Sequence, residues 1–270
     1  MMIPFVKDIL NLLNRIAPFD LAEEWDNSGL QIGSPDQSVN KILVALDPSL
    51  EVVREALSQK AQLLLTHHPL IFKGIARINL GLYPGQVIAE AIKGDLSIVA
   101  THTNLDLAEK GINQILAQLF ELQNVETLLN NNQHDYPLSG LGRIGNLTSS
   151  RPLGEIAKWI KDKIGATHVS VIGQREKPIR RVAVVGGSGG SMVTQAFHRG
   201  ADLLITGDIG HHDSLTALSL GISLIDSGHF FSEWSALRIF KDSLQREMVE
   251  LGWEIQIEFL SKETCPHWYV

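Results

Sequence analysis

Three apolar runs in this chain end in imidazole and carboxylate. LLLTHHPLIF carries His67 and His68, SIVATHTNLD carries His102 and Asp106, and SLIDSGHFFSE carries His229 and Glu233. Strand ends in open α/β sheets are where ligand sites collect. Neutral imidazole and carboxylate together suit zinc, iron, manganese, cobalt or nickel, and ligand type does not choose among them. Two such ions side by side acidify water and polarise an electrophile, so the chemistry indicated is metal-assisted hydrolysis.

Each set also has a plainer reading. Adjacent side chains in a strand point to opposite faces, so His67 and His68 serve one site only if the strand has already ended. Pro69 favours that, because it restricts His68 and cannot donate to a ladder. Otherwise they are a hydrogen-bonded pair of loop histidines. His229 and Glu233 stand four apart where SGHFFSEWSALRIF turns from strand to helix, a spacing that puts both on one helix face. Glu233 is the candidate to bridge two cations; the alternative is that it supports the helix N-terminus. His102 and Asp106 share that spacing. Asp106 supplies an anionic oxygen or caps LAEKGINQILAQLF. His102 stands as ligand, as orienter of a ligand or as proton carrier. Capping alone does not explain three strand ends of this kind, and jointly they point to one shared metal centre.

Other signals are softer. GGSGGSMV, between a strand and a helix, suits an anion cradle or a tight turn equally, and it lacks both the G-x-G-x-x-G spacing and a Walker lysine. GDIGHHD places His211 and His212 at a related strand end, as substrate contacts or proton carriers and not as ligands. WDNSGLQIG, with Trp25, Asp26 and Asn27, is an irregular polar segment suited to a pocket rim, in which Trp25 reads as a packing anchor. His134, His168, His198 and His267 read as surface or linker residues.

The elements that position these residues occur twice. KILVALDPS, LEVVREALSQK and AQLLLTHHP read as strand, amphipathic helix and strand. RRVAVVGGSGG, SMVTQAFHRG and ADLLITGDIGHHD repeat that order, with Leu65-Thr66 falling on Ile205-Thr206 and Val44 on Val184 at one constant offset. GDLSIVATHTNLD and GISLIDSGHFFSE extend the match. An internal duplication is the economical reading; two ordinary β-α-β units are the alternative. The fold class is therefore α/β: two interlinked lobes of mixed or parallel sheets flanked by helices. The divisions expected are residues 1–125 with 226–270 as a metal-binding lobe and 126–225 as a related second lobe. The Asn-, Gly-, Pro- and Ser-rich stretch LLNNNQHDYPLSGLGRIGNLTSSRPLGE reads as a crossing with one short strand, GLGRIGNL. PLGEIAKWIKDKIG is a helix with Ile156, Trp159, Ile160 and Ile164 on one face. THVSVIG reads as a strand, ALRIFKDSLQREMVELG as a helix and WEIQIEFL as a strand.

Bulk properties narrow the function classes. At 270 residues, 44% apolar and 20% charged, the chain has the composition of an ordinary globular protein with ample core. A net charge of −7 argues against an extended nucleic-acid-binding face, though not against one nucleotide in a pocket. The single cysteine, Cys265, forms no intramolecular disulfide, and MMIPFVKDILNLLNRI lacks the apolar core and cleavage site of a signal peptide. No apolar stretch approaches the roughly 20 residues that span a bilayer. The expectation is a cytoplasmic protein without membrane contact.

WDNSGLQIG, LLTHHPLIF, THTNLD, GGSGGS, TGDIGHHD and DSGHFFSE follow in this order across nearly the whole chain. The set resembles the GTP cyclohydrolase 1 type 2 homologues, also called Ngg-one-interacting-factor-three-like proteins. The resemblance implies two divalent metal ions per subunit, held by His67, His68, Asp106, His229 and Glu233, with His102 close to them; on chemical grounds His102 is the candidate proton relay. It also implies a toroidal homohexamer. Some members carry a domain inserted between the halves; the short middle here matches the compact form. The activity implied is hydrolysis of a small molecule, a nucleotide by the family label, either by purine ring opening or at a phosphoester. Two alternatives stand beside it: a non-enzymatic metal-bound scaffold acting through protein partners, and metal handling without turnover.

Overall fold

The computed structural model describes residues 2–130 and 136–268; His134 lies outside the described residues. In chain order the elements are α1 (Val6–Ile16), β1 (Gly29–Ile32), β2 (Lys41–Ala45), α2 (Leu50–Ser58), β3 (Leu63–Thr66), α3 (Gly85–Lys93) and β4 (Ser97–Ala100). There follow α4 (Thr103–Leu107), α5 (Ile112–Leu119), β5 (Gln123–Asn130), β6 (Gly140–Pro152), α6 (Leu153–Ile164), β7 (Ser170–Ile172), β8 (Pro178–Ser188), α7 (Val193–His198), β9 (Leu203–Gly207), α8 (His211–Leu220), β10 (Ser223–Asp226), α9 (His229–Glu250) and β11 (Gln256–Phe259). They divide into two compact units, residues 1–105 with 237–270, and residues 106–236.

The first unit holds a five-stranded sheet in the order β1-β4-β3-β2-β11, parallel except for β1, which pairs antiparallel with β4. Every residue of β3 and β4 is buried, which is why both read as unbroken apolar runs and not as alternating strands. Ser49 starts α2 by accepting the Val52 N–H at 3.2 Å, the arrangement of an N-cap serine. That helix buries Val52, Val53 and Ala56 against a core that includes Leu43, Leu64 and Ile98.

The second unit holds a six-stranded sheet in the order β5-β6-β8-β9-β10-β7. Its three parallel strands, β8, β9 and β10, are flanked by antiparallel neighbours on both sides. Ile144, Ala183, Val185, Leu204 and Leu224 form its centre. Along α6, Ile156, Ile160 and Ile164 are buried as expected. Trp159 is only partly so, and the Arg151 guanidinium and the Lys163 ammonium sit 5.2 and 5.6 Å from its ring. The two cations lie over the face of an indole that the apolar spacing placed inside.

The duplicated pattern is a shared register. Val44 stands opposite Leu65 and Leu65 opposite Val99 in one sheet; Val184 stands opposite Ile205 and Ile205 opposite Ile225 in the other. The antiparallel edge strand repeats too, with Leu30 opposite Val99 and Val171 opposite Ile225. This register matches His67 with Gly207 and His68 with Asp208.

GLGRIGNL departs from its expected role as a short crossing strand. It opens the 13-residue β6, which lies between β5 and β8. Glycine disguises the strand. A Cβ on Gly140 would stand 2.3 Å from the Leu129 carbonyl oxygen, so close backbone approach has replaced the apolar alternation. In the same strand Arg143 is buried, donating to the carbonyls of Gly140 and Gly142 at 2.9 Å and of Ala108 at 2.8 Å. Burial lowers its pKa to about 10, which leaves it charged at neutral pH.

Candidate metal centre

In the first unit, three parallel strands deliver their chemistry at their C-terminal ends. β3 stops at Thr66, so the backbone is free to turn at the histidine pair; Thr66 Oγ1 donates to the His68 carbonyl at 2.8 Å. His67 is fully buried, and its Nδ1 lies 2.8 Å from the carbonyl oxygen of Thr101, just past β4. His68 has its Nδ1 2.7 Å from Asp47 Oδ1, just past β2. His102 has its Nδ1 2.8 Å from Asp26 Oδ1. One ligand atom from each of His67, His68 and His102 lies within 4.8 Å of the others.

Asp26 is the most constrained carboxylate of this group, its side chain wholly buried. Besides His102 it accepts the Thr103 N–H, the Thr103 and Ser28 hydroxyls, and the Asn27 N–H. Burial alone raises its pKa. The hydrogen bonds from His102 and Thr103, the His102 charge and the Asn27 N–H outweigh that and hold it well below the usual carboxylate range. An ionised Asp26 makes His102 Nδ1 the donor.

Asp47 is braced in turn from the C-terminal segment. Glu263 accepts the backbone N–H groups of Leu46, at 2.9 Å, and Asp47, at 3.1 Å. Burial pushes the Glu263 carboxyl up to about 7; the two N–H groups and His68 oppose the rise, while the Asp47 charge adds to it.

In the second unit the same strand ends carry a different set. His229 opens α9 directly after β10, with Nδ1 2.7 Å from Asp208 Oδ2 and Nε2 3.0 Å from Glu233 Oε2. The expected helix-face pairing of His229 and Glu233 is thus present. Glu233 is buried, and a carboxylate oxygen of Asp106 lies within 4.8 Å of one of its oxygens. Asp106 lies in α4, and the residue capping α5 is Gly111, so Asp106 does not cap that segment. Gly187, next to the last residue of β8, approaches this group closely. A Cβ there would stand 2.1 Å from Glu233 Oε1 and 3.4 Å from His229 Nε2, at a backbone φ of +63°. Its N–H donates to Ser232 Oγ in the first turn of α9. GGSGG therefore makes room for Glu233. His211 and His212 are exposed at the start of α8.

These residues fit divalent ions. A ligating histidine usually gives its second ring nitrogen to a carboxylate or a carbonyl, which fixes the tautomer and aims the ring. All four imidazoles do so, on Thr101, Asp47, Asp26 and Asp208. Sequence reasoning singled out the imidazoles but missed Asp47, Asp208, Glu263 and Gly187. An aspartate after a strand and a glycine at a strand end carry no signal beyond turn chemistry. Trp25, expected as a packing anchor, is 57% exposed, with its ring centre 5.9 Å from that of His102.

The comparisons agree with one another. A family model described as Duf34/NIF3 (NGG1p interacting factor 3) matches residues 4–266. A Clostridium perfringens protein named GTP cyclohydrolase 1 type 2 homolog is 34% identical over 259 residues, covering 96% of each chain. The crystal structure of a Staphylococcus aureus hypothetical protein superposes with a TM-score of 0.93 at 34% identity, covering 99% of this chain and 100% of that one. A Bacillus cereus protein related to NIF3 gives 0.91 at 26% identity over the whole of both chains. Among the described residues no helix is long and apolar enough to cross a membrane.

Proposed function

The chain belongs to the Duf34/NIF3 family, and on that premise we propose that it is a hydrolase dependent on two divalent metal ions and acting on a nucleotide. The ions are held by His67, His68, Asp106, His229 and Glu233. One observation carries the reading: the three ligand histidines each set Nδ1 against a carbonyl or carboxylate oxygen, the support usual for imidazoles that bind a metal. The nucleotide rests on the relatives' name, GTP cyclohydrolase 1 type 2 homolog. The homohexameric ring, proposed from the family resemblance, is tested by the solution mass of the native protein.

When bound, such ions supply Lewis acidity and a water acidified towards neutral pH. The chain's own residues do the rest. Thr101, Asp47 and Asp208 hold the ligand rings in orientation. Glu233 and Asp106 contribute negative charge, offsetting that of the cations. His102, backed by ionised Asp26, takes a proton at Nε2 and passes it to the leaving group; Asp26 stabilises the imidazolium formed on the way.

The test is metal content and turnover together. Replacing His68 and Glu233 by Ala in one variant is expected to abolish bound metal by elemental analysis and turnover of a nucleotide and phosphoester panel. Full metal occupancy in that variant sinks the ligand assignment. Metal in the native protein with no turnover of any panel member replaces the hydrolase with a metal-bound scaffold.

A further inference from the structure

Beside His102, two large aromatic rings face solvent. Trp25 is 57% exposed and Phe72 45%. Their centres are 5.6 Å apart with planes tilted by 38°, and each meets the His102 ring edge-on, at 5.9 and 6.0 Å. That spacing is the contact distance of a single aromatic pair, so no ring enters between them and their outer faces are what remain to be covered.

The pair is held, not loosely displayed. Asp26, next to Trp25, is buried and bound to His102, Thr103 and Ser28. Asn27 Nδ2 donates to the carbonyl of Ile71, next to Phe72, and the Ile71 N–H donates to Gln31 Oε1 at 3.2 Å. Gln31 Nε2 closes the loop on the Asn27 carbonyl at 2.6 Å. Two segments far apart in sequence are thus stapled so that one indole and one phenyl ring stand together at the imidazole. Rigid exposed aromatics lose little freedom on binding, and the face of an aromatic ring takes a planar ring of any identity.

We propose that Trp25 and Phe72 form a stacking platform for a planar heteroaromatic ring, and that they seat the base of a nucleotide against His102. This deepens the proposed function and rests on it for the reaction that follows, but the platform is testable without metal. The probes are guanosine 5′-monophosphate and ribose 5-phosphate, which carries the sugar and phosphate without the base. Binding of both is measured by titration calorimetry on metal-loaded and chelator-treated protein.

For Trp25→Ala, guanosine monophosphate is expected to bind roughly five- to a hundredfold more weakly, the range for losing one stacked base. Ribose 5-phosphate is expected to be unaffected, Trp25→Phe to retain most of the affinity, and Phe72→Ala to act in the same direction as Trp25→Ala. Equal nucleotide affinity in native protein and Trp25→Ala overturns the platform, as does no binding to native protein. An equal loss for ribose 5-phosphate overturns it too. So does a change of oligomeric state in Trp25→Ala without loss of nucleotide affinity, since a second copy then covers the rings. Base-dependent binding that persists in metal-free protein, alongside failed turnover, leaves the platform standing while the hydrolase reading falls.

Discussion

The Nδ1 of His67 meets the carbonyl oxygen of Thr101 at 2.8 Å. A carbonyl has no proton to give, so His67 must donate, and in the neutral ring the lone pair is then on Nε2. One bond from a side chain to a backbone carbonyl, just past two neighbouring strands, thereby selects the tautomer that can coordinate a cation through Nε2. His68 reaches the same state through the Asp47 carboxylate, whereas His229 lies between two carboxylates, Asp208 at Nδ1 and Glu233 at Nε2.

Those carboxylates are therefore testable without touching a ligand. Asp47→Ala and Asp208→Ala are each expected to weaken metal binding by roughly 10–100-fold, the usual cost of losing such a partner. Competition with a chelator of known affinity measures it. Both side chains are about half exposed, so the melting temperature of metal-free protein should move little. Unchanged affinity in both variants would mean that the rings are aimed by something else.

Gly187→Ala tests the room made for Glu233. The methyl group would collide with Glu233 Oε1, and the positive φ penalises any side chain, by about 1 kcal/mol. The expected result is folded protein with reduced metal occupancy by elemental analysis. Normal occupancy would show that Glu233 moves aside without consequence.

Glu263 gives a pH dependence with a definite sign. Its carboxyl titrates near 7 when folded against an ordinary value of 4.5. Between those values the folded protein holds the extra proton, so the stability this group contributes is complete below 4.5 and is lost as pH rises through 7. Urea unfolding of chelator-treated protein should show stability falling from pH 5 to pH 8, and a shallower fall in Glu263→Gln. Parallel profiles for the two proteins would refute it.

Arg143→Leu should be among the most damaging single changes in the second unit. It leaves the carbonyls of Gly140, Gly142 and Ala108 buried without that donor, a loss on the order of 3–5 kcal/mol. For a protein of this size the melting temperature would drop by about 10 °C. A shift of a degree or two would mean that water or another donor replaces the guanidinium.

The sequence was legible where burial is complete. β3, β4 and β9 are buried at every residue, β2 and β10 at all but one, and β8 from Val182 to Gly187, so each appears as a hydrophobic run. Because the chemistry sits at the ends of those runs, the imidazoles and Glu233 were legible with them. β6 was not, because its glycines interrupt the pattern, and β5 was not, because it is mostly exposed and only its last three residues fall in the stretch read as a crossing. The supporting aspartates were invisible for a different reason. Their role is set by which strand lies alongside, and sequence spacing does not carry that. The exposure of Trp25 is not legible either, because the hydrophobicity of an indole does not say whether anything covers it.

The shared register of the two sheets makes one difference between them easy to locate. Residues 67–84 separate β3 from its crossover helix α3, whereas only residues 208–210 separate β9 from α8. The longer excursion carries Phe72 and also Ile71, Ile75 and Ile78, which line an apolar cavity of about 630 Å³ with Ile32, Ile88 and others. Growth of one loop, with the sheet register conserved, is an economical evolutionary route to asymmetry within a doubled chain.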